Sequence, residues 1–425
     1  MTALAARPDA TAPEPALGPS LPAIEVADGP RLLAHLDDGP GLEEHRARSG
    51  PLAAMTLSDL LAEARSVSLK GRGGAGFPLA VKLGTAARRR RPLVVVNAAE
   101  GEPASGKDTA LMVLAPHRVL DGAVLAARGL ATREVHVVTP SDRPAVGEAV
   151  AAAVSERRGS REKIRWTLHA ADPGFVSGQA RAVIELMSGR PNLPVTAWEP
   201  EAVSGYRRRP TLLSNAETFA QLGELVRLGA EAYAALGLPD EPGTALLTVT
   251  REGHRRVVEV AAGTPWSWLL TADELSRPVL TGGYHGTWAA PGQLVTALVG
   301  RGEMADLGLA LGAGVVIAPG HRQCPVRLTA SICAYLAASS AGRCGPCLNG
   351  LPALSAAVTS LAEGRSPEAA VARMSAVAAT VERRGACAHP DGTARLVRSL
   401  LEHCDDEVRN HLTGRCLQTE PGQVA

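Results

Sequence analysis

"RPLVVVNAAEGEP", Arg91–Pro103, sets four apolar residues in a row, three of them valine, before a polar loop that starts at Asn97. Such a run reads as a strand buried on both faces that delivers a loop at its C-terminal end. Its neighbours support that reading: "APHRVLDGAVLAARGLA" has helical spacing, "REVHVVTP" is a strand, "RPAVGEAVAAAVSERR" a helix and "KIRWTLHAA" a further strand. Strands alternating with helices of this length predict an α/β layer with a largely parallel sheet, here over residues 31–240. Ligands of such sheets sit beyond the C-terminal ends of the strands, which makes Asn97, Glu100 and Glu102 candidate site residues.

Just ahead of that strand lies "LKGRGGAGFPLAVKL", with Gly71, Gly73, Gly74 and Gly76 grouped around Arg72 and leading to Phe77. A loop so rich in glycine lets backbone N–H groups approach a phosphate or a flat ring; a glycine turn without a ligand is the plain alternative. The spacing of Gly71, Gly73 and Gly76 matches GxGxxG, but no strand precedes it, so the usual dinucleotide fingerprint fits poorly. Of 44 basic residues only Lys70, Lys82, Lys107 and Lys163 are lysines, and three of them fall in this region. "MTLSDLLAEARSV" before it predicts a helix capped by Thr56 or Ser58.

The 425 residues carry a net charge of +1, which leaves no electrostatic footprint for nucleic acid. No window approaches the ~18 apolar residues of a membrane span, and the start lacks a secretory signal, so a cytoplasmic protein without membrane insertion is expected. Residues 1–30, rich in Ala and Pro, read as a disordered leader. From about Gly243 two short strands, a turn and a short helix suggest a small β-grasp unit over 241–322. Residues 323–415 form amphipathic segments joined by short polar links, which predicts a four-helix bundle followed by a tail at 416–425.

All seven cysteines lie beyond residue 323, at 324, 333, 344, 347, 387, 404 and 416. An odd number crowded at one end argues for a metal or cluster domain and against a disulfide framework. Cys344-Gly345-Pro346-Cys347 lacks the strand before it that a thioredoxin centre needs, and no second CxxC completes a zinc finger. Two close cysteines and the distant Cys387, all near bundle loops, suit an iron–sulfur cluster.

Taken together these motifs resemble the flavin- and iron–sulfur-carrying NADH-oxidising subunit of respiratory complex I and its relatives in hydrogenases and formate dehydrogenases. The resemblance runs in order over roughly residues 50–410. It rests on "GRGGAGFP" followed by Lys82, on "NAAEGEP", on Lys107-Asp108, on "AVSG" (Ala202–Gly205) before Pro210-Thr211, on "SNAET" (Ser214–Thr218), and on Ser340–Cys347 with Cys387. It implies a flavin-binding α/β domain, a β-grasp (SLBB) domain and a helical iron–sulfur domain. It also implies FMN, a [4Fe–4S] or [3Fe–4S] cluster and NAD(H) as cofactors, with other electron-transfer subunits or a ferredoxin-like protein as partners, at the periphery of a membrane-bound complex.

The resemblance further implies cofactor-binding roles for Gly71, Arg72, Gly73, Gly74, Gly76, Phe77, Lys82, Asn97, Glu100, Glu102, Gly178, Asn215 and Thr218. Lys82 would bind phosphate, Asn97 and Glu100 would anchor the flavin, and Phe77 and Glu102 would contact the nicotinamide nucleotide. Cys344, Cys347 and Cys387 would hold the cluster. This chain departs from the family at Ala341 (a cluster cysteine), Ala99 (an acid), Gln179-Ala180 (two glutamates), Ser214 (an asparagine), Ala197 (a lysine) and Pro200 (a phenylalanine). A fourth cluster ligand would then come from water, His389 or another thiol. The expected activity is transfer of electrons from a nicotinamide through FMN to the cluster and a partner. The alternative is a degenerate paralogue that serves as a relay or assembly module without NADH oxidation.

Overall fold

The computed structural model describes residues 24–158, 162–365 and 367–416. Leu93, Val94, Val95 and Val96 are inaccessible to solvent, as a strand covered on both faces requires. They form β2 (Leu93–Asn97) in the interior of a parallel sheet with β3 (Glu134–Pro140), β4 (Arg165–Ala171) and β5 (Thr211–Asn215), in the order β4-β3-β2-β5. The register sets Asn97 directly beside Asn215, so the C-terminal ends of two neighbouring strands present two asparagines side by side.

A second sheet is built from β1 (Ile24–Val26), β8 (Thr244–Arg251), β9 (His254–Ala261), β10 (Val279–Thr281), β11 (Thr287–Ala289) and β12 (Val315–Ala318), in the order β1-β9-β8-β12-β10-β11. Two further short strands, β6 (Gly237–Leu238) and β7 (Glu241–Pro242), pair only with each other. The expected leader ended at residue 30, but Ile24–Val26 pairs in parallel with β9, and Leu32 and Leu33 just beyond it are fully buried. Burial of these apolar side chains offsets the entropy of ordering the segment; the earlier part of the leader lies outside the described residues.

Helices Pro325–Ala338, Leu351–Ala362, Pro367–Val381, His389–His403 and Asp405–Leu412 complete the chain. The last two were expected as one segment, but the helix breaks at Cys404, whose φ of −117° and ψ of 35° are non-helical. These helices share a core with the second sheet: Trp288 of β11 donates its backbone N–H to the Ser399 hydroxyl (2.9 Å) and its ring N–H to the Thr329 hydroxyl (3.0 Å). Among the described residues no single helix is long and apolar enough to cross a membrane.

The first sheet is backed by helices Pro116–Gly129 and Ala216–Leu228, which cross so closely that a Cβ at Gly122 would collide with the Phe219 carbonyl oxygen. This contact holds the helix capped by Asn215. Gly122→Ala is expected to lower stability by about 1–3 kcal/mol through overpacking. Gly84→Ala, in a helix where the new methyl meets only Leu61 at 3.7 Å, should be neutral or stabilising by up to ~1 kcal/mol. Urea unfolding of the two variants measures both effects.

Candidate functional site

The glycine loop closes on itself: Gly71 N–H donates to the Phe77 carbonyl (2.9 Å), and Gly74 and Gly76 take φ of 106° and 63°, which favours glycine. Arg72 N–H donates to the Thr218 hydroxyl (2.9 Å), tying the loop to the helix that follows β5. A side chain at Gly73 would meet the Asn215 Cβ at 3.3 Å. Arg301 donates to the carbonyls of Gly74 and Gly312, both at 3.1 Å, and clamps the loop to the second sheet's connections. The Nε groups of Arg72 and Arg301 are buried and lack hydrogen-bond partners among the described residues. Phe77 stands half exposed at the end of the loop.

Lys82, on the helix after the loop, donates to the Leu213 carbonyl (3.0 Å), and burial holds its ammonium below the ordinary lysine range. With one hydrogen bond made, it has donors left for an anion. Asn97 donates to the Gly178 carbonyl (2.7 Å) and accepts from Ala99 N–H (3.3 Å).

Glu100 has φ of 42°, an uncommon conformation for a residue with a side chain. Its carboxylate holds that conformation by accepting from Ser105 Oγ (2.7 Å), Asp108 N (2.8 Å), Thr109 N (3.0 Å), Thr109 Oγ1 and Arg143 Nη1 (2.7 Å). Burial pushes this carboxyl up, but Arg143 and the hydrogen bonds outweigh it and leave it below its usual range. All of these partners are protein groups, so Glu100 shapes the loop.

The two N–H groups it takes belong to the first turn of helix Lys107–Leu114. That turn presents Lys107 to Asp108 (3.0 Å), Asn215 (3.2 Å) and Glu217 (2.8 Å) in a buried cluster. Burial works against the Lys107 ammonium, yet the two carboxylates hold it above its ordinary value. Glu102 turns the other way: its carboxylate accepts from Tyr284 N (2.9 Å) and Ala104 N (3.3 Å), and burial pushes it up to about 7.

A cleft of about 470 Å³ opens over the segment that follows Gly178, lined among others by Gln179, Ala180, Ala197, Pro200 and Cys387. The departures from the expected glutamates, lysine and phenylalanine thus cluster on one surface. Sequence reading missed two other residues there. Trp198 is 97% exposed, and Arg181 pairs with Glu201 at 2.7 Å. A tryptophan in a polar, proline-rich loop of a chain with 3% aromatic residues was the available signal.

Cys344, Cys347 and Cys387 come together at one end of the helical region. Cys347 sits in a turn of π-helix, Pro346–Gly350, that runs into Leu351–Ala362. The backbone N–H groups of Ala386 and Cys347 lie beside the Cys344 sulfur; burial raises that thiol, and these groups bring it below its ordinary value. Burial and the neighbouring Cys344 push Cys347 up to about 12. Gln179 and Cys387 line the same cleft. His389, expected as a possible fourth ligand, is fully buried with both ring nitrogens engaged, by Leu336 O (2.8 Å) and His285 Nε2 (3.0 Å). Cys333 is buried in the helix core.

Comparison with known proteins agrees with this geometry. Residues 64–224 match the Nuo51 FMN-binding domain family, and residues 327–411 match the NADH-ubiquinone oxidoreductase-F iron-sulfur binding region. The chain is 27% identical over 395 residues to the F component of the NADH-quinone oxidoreductase of Streptomyces coelicolor, covering 87% of this chain and 86% of the relative. It is 27% identical over 416 residues to the component of the same name in Mycobacterium tuberculosis, covering 88% and 89%. Its fold is similar to a chain of NAD+-reducing [NiFe]-hydrogenase in the H2-reduced state, with a TM-score of 0.80, 23% identity, and coverage of 92% of this chain and 68% of that one.

Glu102 gives a pH test of the loop. Between its unfolded value of 4.5 and its folded value of about 7, the unfolded chain has lost the proton that the folded chain keeps. Its contribution to stability therefore falls as pH rises through that window. Glu102→Gln keeps an acceptor for Tyr284 N–H and removes the charge. The stability of the variant relative to the parent should rise from pH 4.5 to pH 8 by on the order of 2–3 kcal/mol in denaturant unfolding. A difference that stays flat with pH would mean the carboxyl ionises in its ordinary range.

Proposed function

From the premise that the chain belongs, as a divergent member, to the family of flavin- and iron–sulfur-carrying NADH-oxidising subunits of respiratory complex I and related hydrogenases, we propose that it is the electron-entry component of a larger assembly. FMN and an iron–sulfur cluster are its cofactors and NAD(H) its substrate. The observation that carries the reading is a short structural run: Asn97 donates to the Gly178 carbonyl, and the adjacent Gln179 lines one cleft together with Cys387. It links the end of the central strand to a cluster cysteine with no intervening domain.

The residues present fit FMN. Lys82 has spare donors for a phosphate, and the glycine loop that precedes it offers backbone N–H groups. Asn97 keeps a second amide N–H for a polar ring edge, while Asn215 beside it is held by Lys107 and Asp108. Glu100 and Lys107 act through the backbone they hold and are positioning residues. When bound, FMN accepts two electrons and releases them singly, which is what joins a hydride donor to a one-electron chain. Phe77 and Trp198 supply exposed ring faces for a nucleotide. Gln179 keeps hydrogen-bonding capacity where the family has an acid, while Ala180 and Ala197 keep none.

Three cysteines with backbone N–H groups beside their sulfurs fit an iron–sulfur cluster, and Ala341 leaves one of its irons without a cysteine ligand. We read the sheet region over 241–322, completed by β1, as the SLBB-like β-grasp unit, and the C-terminal helices as the cluster domain. Other electron-transfer subunits or a ferredoxin-like protein would take the electrons at the periphery of a membrane-bound complex. The losses at Ala341, Ala180 and Ala197 favour a second reading, a relay or assembly module that has given up NADH oxidation.

Two variants test the proposal. Cys387→Ala should abolish the cluster, seen as loss of iron and of the visible iron–sulfur absorption; iron that survives the change would overturn the assignment. Gly73→Val pushes a side chain against Asn215 and should weaken FMN binding about 10- to 100-fold in anaerobic reconstitution, from a steric cost of ~1–3 kcal/mol. If the unmodified protein takes up no flavin above background, the second reading holds.

A further inference from the structure

Two of the cysteines outside the assigned cluster belong to a second group of potential metal ligands. Cys324, Glu407, His411 and Cys416 place one ligand atom each within 4.8 Å of all the others. Cys324 Sγ lies 3.0 Å from Glu407 Oε1 and 3.3 Å from His411 Nε2; Cys416 Sγ lies 3.3 Å from Glu407 Oε1, and His411 Nε2 lies 3.6 Å from the same oxygen. Zinc bonds of ~2.3 Å to sulfur and ~2.0 Å to nitrogen or oxygen, at tetrahedral angles, put neighbouring ligand atoms about 3.3–3.8 Å apart. We propose that the helical region carries a structural zinc(II) ion held by Cys324, Glu407, His411 and Cys416.

The local structure is arranged for it. Glu407 and His411 are one helical turn apart on Asp405–Leu412 and so share a face. The chain returns to them through Gly414, at φ of 73°, which brings Cys416 back to the carboxylate. Cys324 comes from the N-terminus of Pro325–Ala338, with the Arg327 backbone N–H beside its sulfur. His411 Nδ1 faces the Leu361 carbonyl at 3.2 Å, so with the proton there Nε2 presents a lone pair to the centre.

Charge and burial point the same way. Cys324, Glu407 and His411 are at most 4% exposed. The second oxygen of Glu407 is buried with no hydrogen-bond partner, and among the described residues its one basic neighbour at ion-pair distance is His411. A buried carboxylate without a fixed cation is costly, and a divalent cation removes the cost. On binding, both thiols release their protons to solvent as Zn–S bonds form. Thiolate, imidazole and carboxylate in a closed set of four suit zinc in a structural site. The ion would fasten the last helix to the start of the first, where the helical region joins the second sheet.

The test uses the full chain, purified without chelators and reconstituted anaerobically with zinc alone. Elemental analysis should find about one zinc per chain in addition to iron. Zinc K-edge X-ray absorption should give two sulfur neighbours at ~2.3 Å and two nitrogen or oxygen neighbours at ~2.0 Å. Cys416→Ser, at the half-buried end of the set, should lose most of the zinc and keep the iron, whereas Cys387→Ala should lose iron and keep zinc. Zinc that stays in Cys416→Ser, a chain that takes up none, iron found in this shell, or a Cys324–Cys416 disulfide in non-reducing mass spectrometry would each overturn the proposal. X-ray absorption on the unmodified protein needs no variant, so a misfolded mutant does not blunt the test.

Discussion

One buried carboxylate organises the region on which the α/β domain's chemistry depends. Glu100 sits in a left-handed conformation that its side chain must compensate, and it does so by taking five hydrogen bonds within a few residues of chain and from Arg143. Two of those donors are free N–H groups of a helix start, where a negative charge is favoured by the helix dipole. The consequence passes outward. With the helix start fixed, Lys107 is committed to Asn215 and Glu217, and these fix the start of the next helix, whose Thr218 holds the glycine loop at Arg72. Loop, strand end and helix are thus positioned by one chain of buried polar contacts, each satisfied by protein groups.

That arrangement explains how the chain diverges without losing its frame. The substitutions at Gln179, Ala180, Ala197 and Pro200 all line the cleft, outside that network. The network behind it retains Lys107, Asp108, Asn215 and Glu217. A buried ion cluster is intolerant of losing one partner, because the remaining charge is left unpaired. A cleft residue carries no such penalty, whereas Ala99 and Ser214, which also depart from the family pattern, are small and buried outside the cleft.

The helical region is attached by a different kind of contact. Trp288 buries its ring between β11 and the helices while both of its N–H groups are satisfied by hydroxyls of the helices. Glu102 adds a polar link between the loop after β2 and Tyr284 of the second sheet's β10–β11 connection. The cysteines proposed to hold the cluster therefore stand on a frame that is continuous with the strand ends, and one of them, Cys387, lines the cleft.

The sequence by itself determined the class of each layer. Four apolar residues from Leu93 to Val96 demand a central strand, the glycine grouping demands a loop, and cysteines confined to one end demand a metal or cluster domain. These are local properties, set by side-chain period, by φ > 0 and by ligand type. Tertiary structure alone decided which polar groups are spent. Glu100 and Glu102 read as ligands from their place after a strand, yet their oxygens are taken by Asp108, Thr109, Arg143 and Tyr284, residues brought up by helix and sheet packing. His389 reads as a free ligand beside Cys387 and is held by Leu336 and His285 instead. Ile24–Val26 reads as part of a disordered leader because its partner strand lies far along the chain. Cys324 and Cys416 read as unrelated thiols and meet only because the last helix folds back onto the first. Hydrogen-bond partners at large sequence separation leave no period or spacing in the chain, and so only the folded structure assigns them.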